Sequence, residues 1–235
     1  MTNILELSDV EVEIGEAYIL QGVSFSVPSG EIVALLGRNG AGKTTTLESI
    51  LGFYPPRSGD ITFKGESILN TSPYEIARKG ISYSPDSARI FPTLTVKENL
   101  RMGMLQNESA EKLKEIYDLF PFLQEHATNT GKSLSGGEQK LLALARAMIS
   151  QADDLLLVDE PTEGLSPENA QKTFAALEEI KKRASILLVA DNLDMAKDFA
   201  ERFVMMSNGR VVERGLMGEL MNKPETVEKY LGTAV

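Results

Sequence analysis

The chain has 235 residues with 24 basic and 34 acidic side chains, and a net charge of −10 excludes the broad phosphate-backbone footprint that nucleic-acid binders carry. It has no cysteine and one histidine, His126, which excludes disulfides, thiolate metal sites and histidine clusters. At this length, with 42% apolar residues, one large α/β domain or a core with an inserted subdomain is expected.

The first six residues have neither the basic start nor the apolar stretch of a signal peptide. Uninterrupted apolar runs such as 32–36 and 186–190 fall far short of the about 20 residues that a spanning helix needs. A soluble, cytoplasmic chain is expected, with any membrane role exerted through a partner. Val10 and Val12 alternate with Glu11 and Glu13, residues 23–27 alternate again, and Pro28-Ser29-Gly30 turns the chain, so this region reads as strands. Residues 32–36 are continuously apolar, as in a strand buried on both faces, and a helix is expected from about 42 to 51. Residues 92–150 read as mainly helical, with helices near 96–104, 110–120 and 136–149. Beyond them β/α alternation resumes, with strands at 155–158 and 186–190 and helices at 167–182 and 193–201. The pattern predicts a parallel-sheet nucleotide core and β subdomain, residues 1–91 and 151–235, interrupted by a helical subdomain at 92–150.

Gly37-Arg38-Asn39-Gly40-Ala41-Gly42-Lys43-Thr44 matches GxxxxGK[ST] between a strand and a helix. Glycines let backbone N–H groups turn inward as an anion nest, and the helix N-terminus adds a favourable dipole. Lys43 supplies a compact charge for β- and γ-phosphates, the Thr44 hydroxyl can ligate Mg²⁺, and Thr45 adjoins them. The strand at 155–158 ends on Asp159 and Glu160. Ligands of parallel sheets gather beyond the carboxyl ends of strands, so Asp159 is placed to hold Mg²⁺ and Glu160 to take a proton from an attacking water.

Leu134-Ser135-Gly136-Gly137-Glu138-Gln139 opens the helix near 136–149 with an S-x-x-E capping box. Capping alone does not account for Gly136 and Gly137, since glycine inside a helix costs up to about 1 kcal/mol relative to alanine. Their gain is a close approach of backbone to something, and an anion at the exposed N–H groups is the expected candidate.

With the Gly37–Thr44 loop and the Asp159-Glu160 strand end, this LSGGEQ segment resembles the signature of ABC ATPase subunits, over essentially the whole chain. The resemblance implies a P-loop NTPase, RecA-like core with an antiparallel β subdomain and an inserted helical subdomain. It also implies ATP and Mg²⁺ as cofactors, and a homo- or heterodimer with another ABC ATPase subunit. In such a dimer Ser135 and Gly137 contact the γ-phosphate held by the facing chain. Transmembrane permease subunits are the implied membrane partners, which leaves the chain peripheral on the inner face of the membrane. A substrate-binding protein is reached only indirectly, and no nucleic acid is involved. The stretches from Phe91 to Leu100, from Asp159 to Pro167 and from Val189 to Asp194 look like importer ATPases for branched-chain amino acids, with urea or short amides as the alternative.

Three positions depart from the common pattern of that family. Ile14 stands where an aromatic stacks on adenine, with Tyr18 the nearby aromatic; Asp86 replaces a glutamine that meets Mg²⁺ and the attacking water; Asp191 replaces a histidine that senses the γ-phosphate. A carboxylate at 86 still suits a hard cation. One at 191 is repelled by phosphate unless Mg²⁺, a proton or water intervenes, which favours as a further alternative a partner subunit that binds ATP but hydrolyses it weakly. His126 reads as a solvated surface residue, the methionines as core or interface filler, and Glu11, Glu13 and Glu16 as a solvated strand face.

Overall fold

The computed structural model describes residues 2–104, 110–150, 154–191, 193–194 and 196–232. Its first two strands, β1 (Asn3–Ile14) and β2 (Ala17–Pro28), form a long antiparallel hairpin. With β4 (Ser58–Phe63) and β5 (Glu66–Ser67) they make a four-stranded sheet in the order β2-β1-β4-β5. The apolar run at Ile32–Leu36 is β3, and every residue of it is buried. Successive strand side chains point to opposite faces, so Ile32, Ala34 and Leu36 enter one core cluster while Val33 and Leu35 enter the other.

Around β3 lies a second sheet, completed by β6 (Ile81–Ser84), β7 (Leu155–Asp159), β8 (Ser185–Ala190), β9 (Arg202–Ser207) and β10 (Arg210–Leu216). Its order is β10-β9-β3-β8-β7-β6, parallel except for the antiparallel edge strand β10. The helix α1 (Lys43–Ile50) follows β3, and α2 (Pro73–Lys79) precedes β6. The segment between β6 and β7 holds α3 (Val96–Arg101), α4 (Ala110–Leu119), α5 (Pro121–Glu125) and α6 (Gly136–Ile149). Buried Asn99 pins that segment by accepting from the Phe91 amide at 2.7 Å and donating to the carbonyls of Phe91, Leu94 and Thr95 at 2.9, 3.2 and 3.0 Å. The chain then continues through α7 (Pro167–Lys181), α8 (Met217–Leu220) and α9 (Pro224–Leu231).

The parallel core with a separate antiparallel sheet and an inserted helical segment is the architecture the sequence predicts. The helix expected at 193–201 is corrected: the described residues there form turns, with the amides of Ala196 and Ala200 bonded to the carbonyls of Leu193 and Ala196. Leu193, Ala196 and Ala200 are buried at helical spacing, but the described residues between β8 and β9 form turns only. The residues Asn192 and Met195 lie outside the described residues.

Candidate active site

The loop after β3 turns on glycines that no other residue replaces at ease. Gly37 has φ 157°, and a Cβ there would sit 2.5 Å from the Met206 carbonyl oxygen; Gly42 is left-handed at φ 104°. Gly42 caps α1 without a side-chain hydrogen bond, which leaves the first-turn N–H groups for an external acceptor. Gly209, in the turn between β9 and β10, fixes the loop from beneath. Its amide donates to the Ala41 carbonyl at 3.0 Å, its carbonyl accepts from Gln21 at 2.8 Å, and a Cβ there would lie 2.1 Å from the Ile19 oxygen. Arg38, Asn39 and Gly40 are exposed on the rim of this loop.

Lys43 is nearly sealed, its side chain 4% exposed. Its ammonium donates to the Gly37 carbonyl at 2.7 Å and lies 3.3 Å from Glu160 Oε1. The Thr44 hydroxyl donates to Asp159 Oδ2 at 3.0 Å, while Asp159 Oδ1 is buried with no hydrogen-bond partner. Burial is the main cause that pushes the Asp159 carboxyl up to about 6; the Thr44 bond opposes it, Glu160 and Asp86 add to it, and Lys43 offsets part. The structure thus brings Gly37, Lys43 and Thr44 together with Asp159 and Glu160, with Thr45 on the first turn of α1.

An orphaned buried carboxylate oxygen beside a threonine hydroxyl is a donor set that fits a hard cation such as Mg²⁺. Among the described residues no three Asp, Glu, His or Cys side chains gather to hold an ion alone. Glu160 sits just past β7 with φ 43°, a left-handed conformation rare for a glutamate, and its amide donates to the Val189 carbonyl at 3.1 Å. Strain of this kind persists only where surrounding bonds hold it, and it clusters at functional sites.

The three departures behave differently. Asp86, shortly after β6, accepts from Lys140 Nζ at 2.8 Å and is near enough to raise the Asp159 carboxyl. Asp191 lies at the carboxyl end of β8, half-buried. Ile14 ends β1, packed against the core cluster under the hairpin. Tyr18 does not stand beside it. Tyr18 pairs with Glu13 across the hairpin, on the face opposite Ile14, and its ring carries the Arg57 guanidinium at 5.6 Å.

Ser135 caps α6, accepting from the Glu138 amide at 3.3 Å, and its own amide and hydroxyl donate to the Glu138 carboxylate at 2.8 Å each, holding that carboxyl below its usual range. The two glycines that follow divide. Gly136 has nothing within 4 Å of a would-be Cβ, whereas Gly137 would meet Asn169 Nδ2 at 2.7 Å. The close approach on the Cβ side of Gly137 is therefore to the start of α7 in the same chain, which gives that glycine a packing reason of its own. The neighbours of Ser135 and Gly137 are Glu138, Asn169 and Leu165, not the Gly37–Thr44 loop. Lys140 and Gly209 escaped the sequence reading. Lys140 carried a faint signal, a lone cation just past the glycine pair, but Gly209 carried none because its partners are remote.

A family model described as ABC transporter matches residues 20–163, so the chain belongs to that family. It is 36% identical, over 97% of its length and 100% of the relative's, to the high-affinity branched-chain amino acid transport ATP-binding protein BraG of Pseudomonas aeruginosa. It is 33% identical to the probable branched-chain amino acid transport ATP-binding protein LivG of Archaeoglobus fulgidus, over 91% of this chain and 89% of that one. A solved structure of the ADP conformation of an ATP-binding cassette of an ABC transporter superposes with a TM-score of 0.83 at 26% identity, covering 99% of this chain and 100% of the other.

Proposed function

We propose that this chain is the ATP-hydrolysing subunit of a membrane importer for branched-chain, hydrophobic amino acids. The observation that carries the chemistry is the convergence of Lys43, Thr44, Asp159 and Glu160 around one point at the carboxyl ends of β3 and β7. The relatives BraG and LivG, by their descriptions, support the transport role and the substrate class.

In this reading the backbone N–H groups of residues 37–44 and the Lys43 ammonium cradle the β- and γ-phosphates, and Thr45 and Ile14 border the nucleotide. Thr44, Asp159 and Asp86 would hold Mg²⁺, which when bound neutralises charge developing on the phosphoryl oxygens. The Glu160 carboxylate orients the attacking water and accepts its proton. Asp191 adjusts the field near the γ-phosphate. Ser135 and Gly137, at the α6 N-terminus, complete the site of a facing subunit; 92–150 acts as the helical signature subdomain, and the region from Asp86 to Leu100 meets the permease. No helix among the described residues is long and apolar enough to cross a membrane, which agrees with peripheral attachment through that permease.

The test is ATP hydrolysis by the assembled transporter. Glu160→Gln is expected to lower turnover by about 10²–10⁴-fold with nucleotide binding retained. The Lys140–Asp86 pair favours a second reading, a subunit that binds ATP and leaves hydrolysis to its partner. Unchanged turnover with Glu160→Gln would establish that second reading and sink the first.

A further inference from the structure

Lys140 lies on α6 just past the signature glycines, with its side chain 20% exposed. Its ammonium makes two bonds at 2.8 Å, one to Asp86 Oδ1 and one to the Glu163 carbonyl oxygen. Asp86 follows β6, an edge strand paired only with β7, so little else in the sheet restrains it. Glu163 closes the turn that begins at Glu160, its amide donating to the Glu160 carbonyl at 3.3 Å. That turn contains the strained φ of 43° and is anchored on its other side by Val189. One cation thus ties the signature helix both to the segment after β6 and to the turn that begins at the candidate catalytic carboxylate. An ordinary exposed ion pair joins two side chains and is worth little. This one also fixes a backbone carbonyl in a strained turn, where bonds from outside must over-determine the conformation.

We propose that Lys140 is a positioning residue that clamps the Glu160–Glu163 turn to α6, and that a divalent cation arriving with the nucleotide competes with its ammonium for Asp86. The proposal rests on the ATPase reading given above. Two of the three ammonium donors are engaged, so loss of the Asp86 bond leaves the bond to Glu163 in place. The clamp on the turn and the hold on Asp86 are therefore separable. The first governs how Glu160 is presented, and the second governs how much Mg²⁺ the site requires.

The experiment measures equilibrium binding of a fluorescent ATP analogue to the native chain, Lys140→Gln, Lys140→Arg and Asp86→Asn, first without metal and then with rising Mg²⁺. Amide hydrogen exchange at Glu163 and Leu165 is followed in parallel, without nucleotide. Lys140→Gln is expected to leave metal-free affinity within about twofold and to lower the Mg²⁺ midpoint by about fivefold, the scale of a partly exposed ion pair. It should also raise exchange at the two amides by about tenfold, and lower kcat at unchanged KM. Lys140→Arg should restore slow exchange, and with Asp86→Asn in place the glutamine should no longer move the Mg²⁺ midpoint. A Lys140→Gln chain that matches the native one in both midpoint and exchange overturns the proposal alone. A native chain that binds no nucleotide at any Mg²⁺ concentration overturns the ATPase reading and this proposal with it.

Discussion

The carboxylate of Asp159 is held at a cost, since one oxygen has Thr44 and the other has only the protein interior. Its folded pKa of about 6 lies above the ordinary 3.8, so the folded chain favours the protonated form. The stability contributed by this group is then fully present below pH 4 and is lost as pH rises through 6. Asp159→Asn is therefore expected to raise the Tm of the nucleotide-free chain at pH 7–8, by the equivalent of about 1–3 kcal/mol, and to change it little at pH 4. The same variant should lose most of its Mg²⁺-dependent gain in nucleotide affinity, a gain that in the native chain weakens as protons compete below pH 6. Lys43, Thr44, Asp159 and Glu160 were legible in the sequence because their chemistry is bound to local spacing, a strand end followed by the residue that acts. Lys140 was not, because its two partners stand far away along the chain, and only folding brings them together.

At the level of elements, α6 shows how one motif serves two ends. Its capping box is reproduced at α2 by Ser72 and Glu75 and at α3 by Thr95 and Glu98, so Ser135 and Glu138 need nothing beyond local helix chemistry. The glycines are what differ, and only Gly136 is open. Gly136→Ala should leave the isolated chain as stable or up to about 1 kcal/mol more stable, by thermal melting, while reducing hydrolysis in the assembled transporter. Gly136 would then be a residue whose space belongs to another molecule. The helical segment depends instead on buried Asn99, and Asn99→Ala empties that buried site and leaves the part-buried Phe91 amide unpaired, while the Phe91 carbonyl keeps the Leu94 amide. A loss of about 2–3 kcal/mol in denaturant unfolding is the expected result. The continuous apolar runs of β3, β7 and β8 announced themselves, but β6 is only four residues long, and β9 holds the methionines Met205 and Met206 that read as generic filler. The turns at 193–201 misled because buried Leu193, Ala196 and Ala200 keep a helical period while the described residues there close only turns.

For the whole molecule, the function proposed above has a second copy or a related subunit close the site with the open helix start of α6. A Glu160→Gln chain, with Mg²⁺ and ATP, is expected to elute from a sizing column at the mass of two chains. It should return to one chain when ATP is withheld, and a single-chain elution under both conditions would count against a shared site. The joint at Gly209 reaches further still. The phosphate loop belongs to the first fifth of the chain, yet its floor is a turn made near the end, and β3 lies between β8 and β9, two of the later strands. On a ribosome, the loop emerges early and has neither sheet neighbours nor floor until most of the chain has followed. A product truncated before Gly209 would carry every residue of the loop motif without its floor, and weaker ATP binding than in the native chain is the expected result.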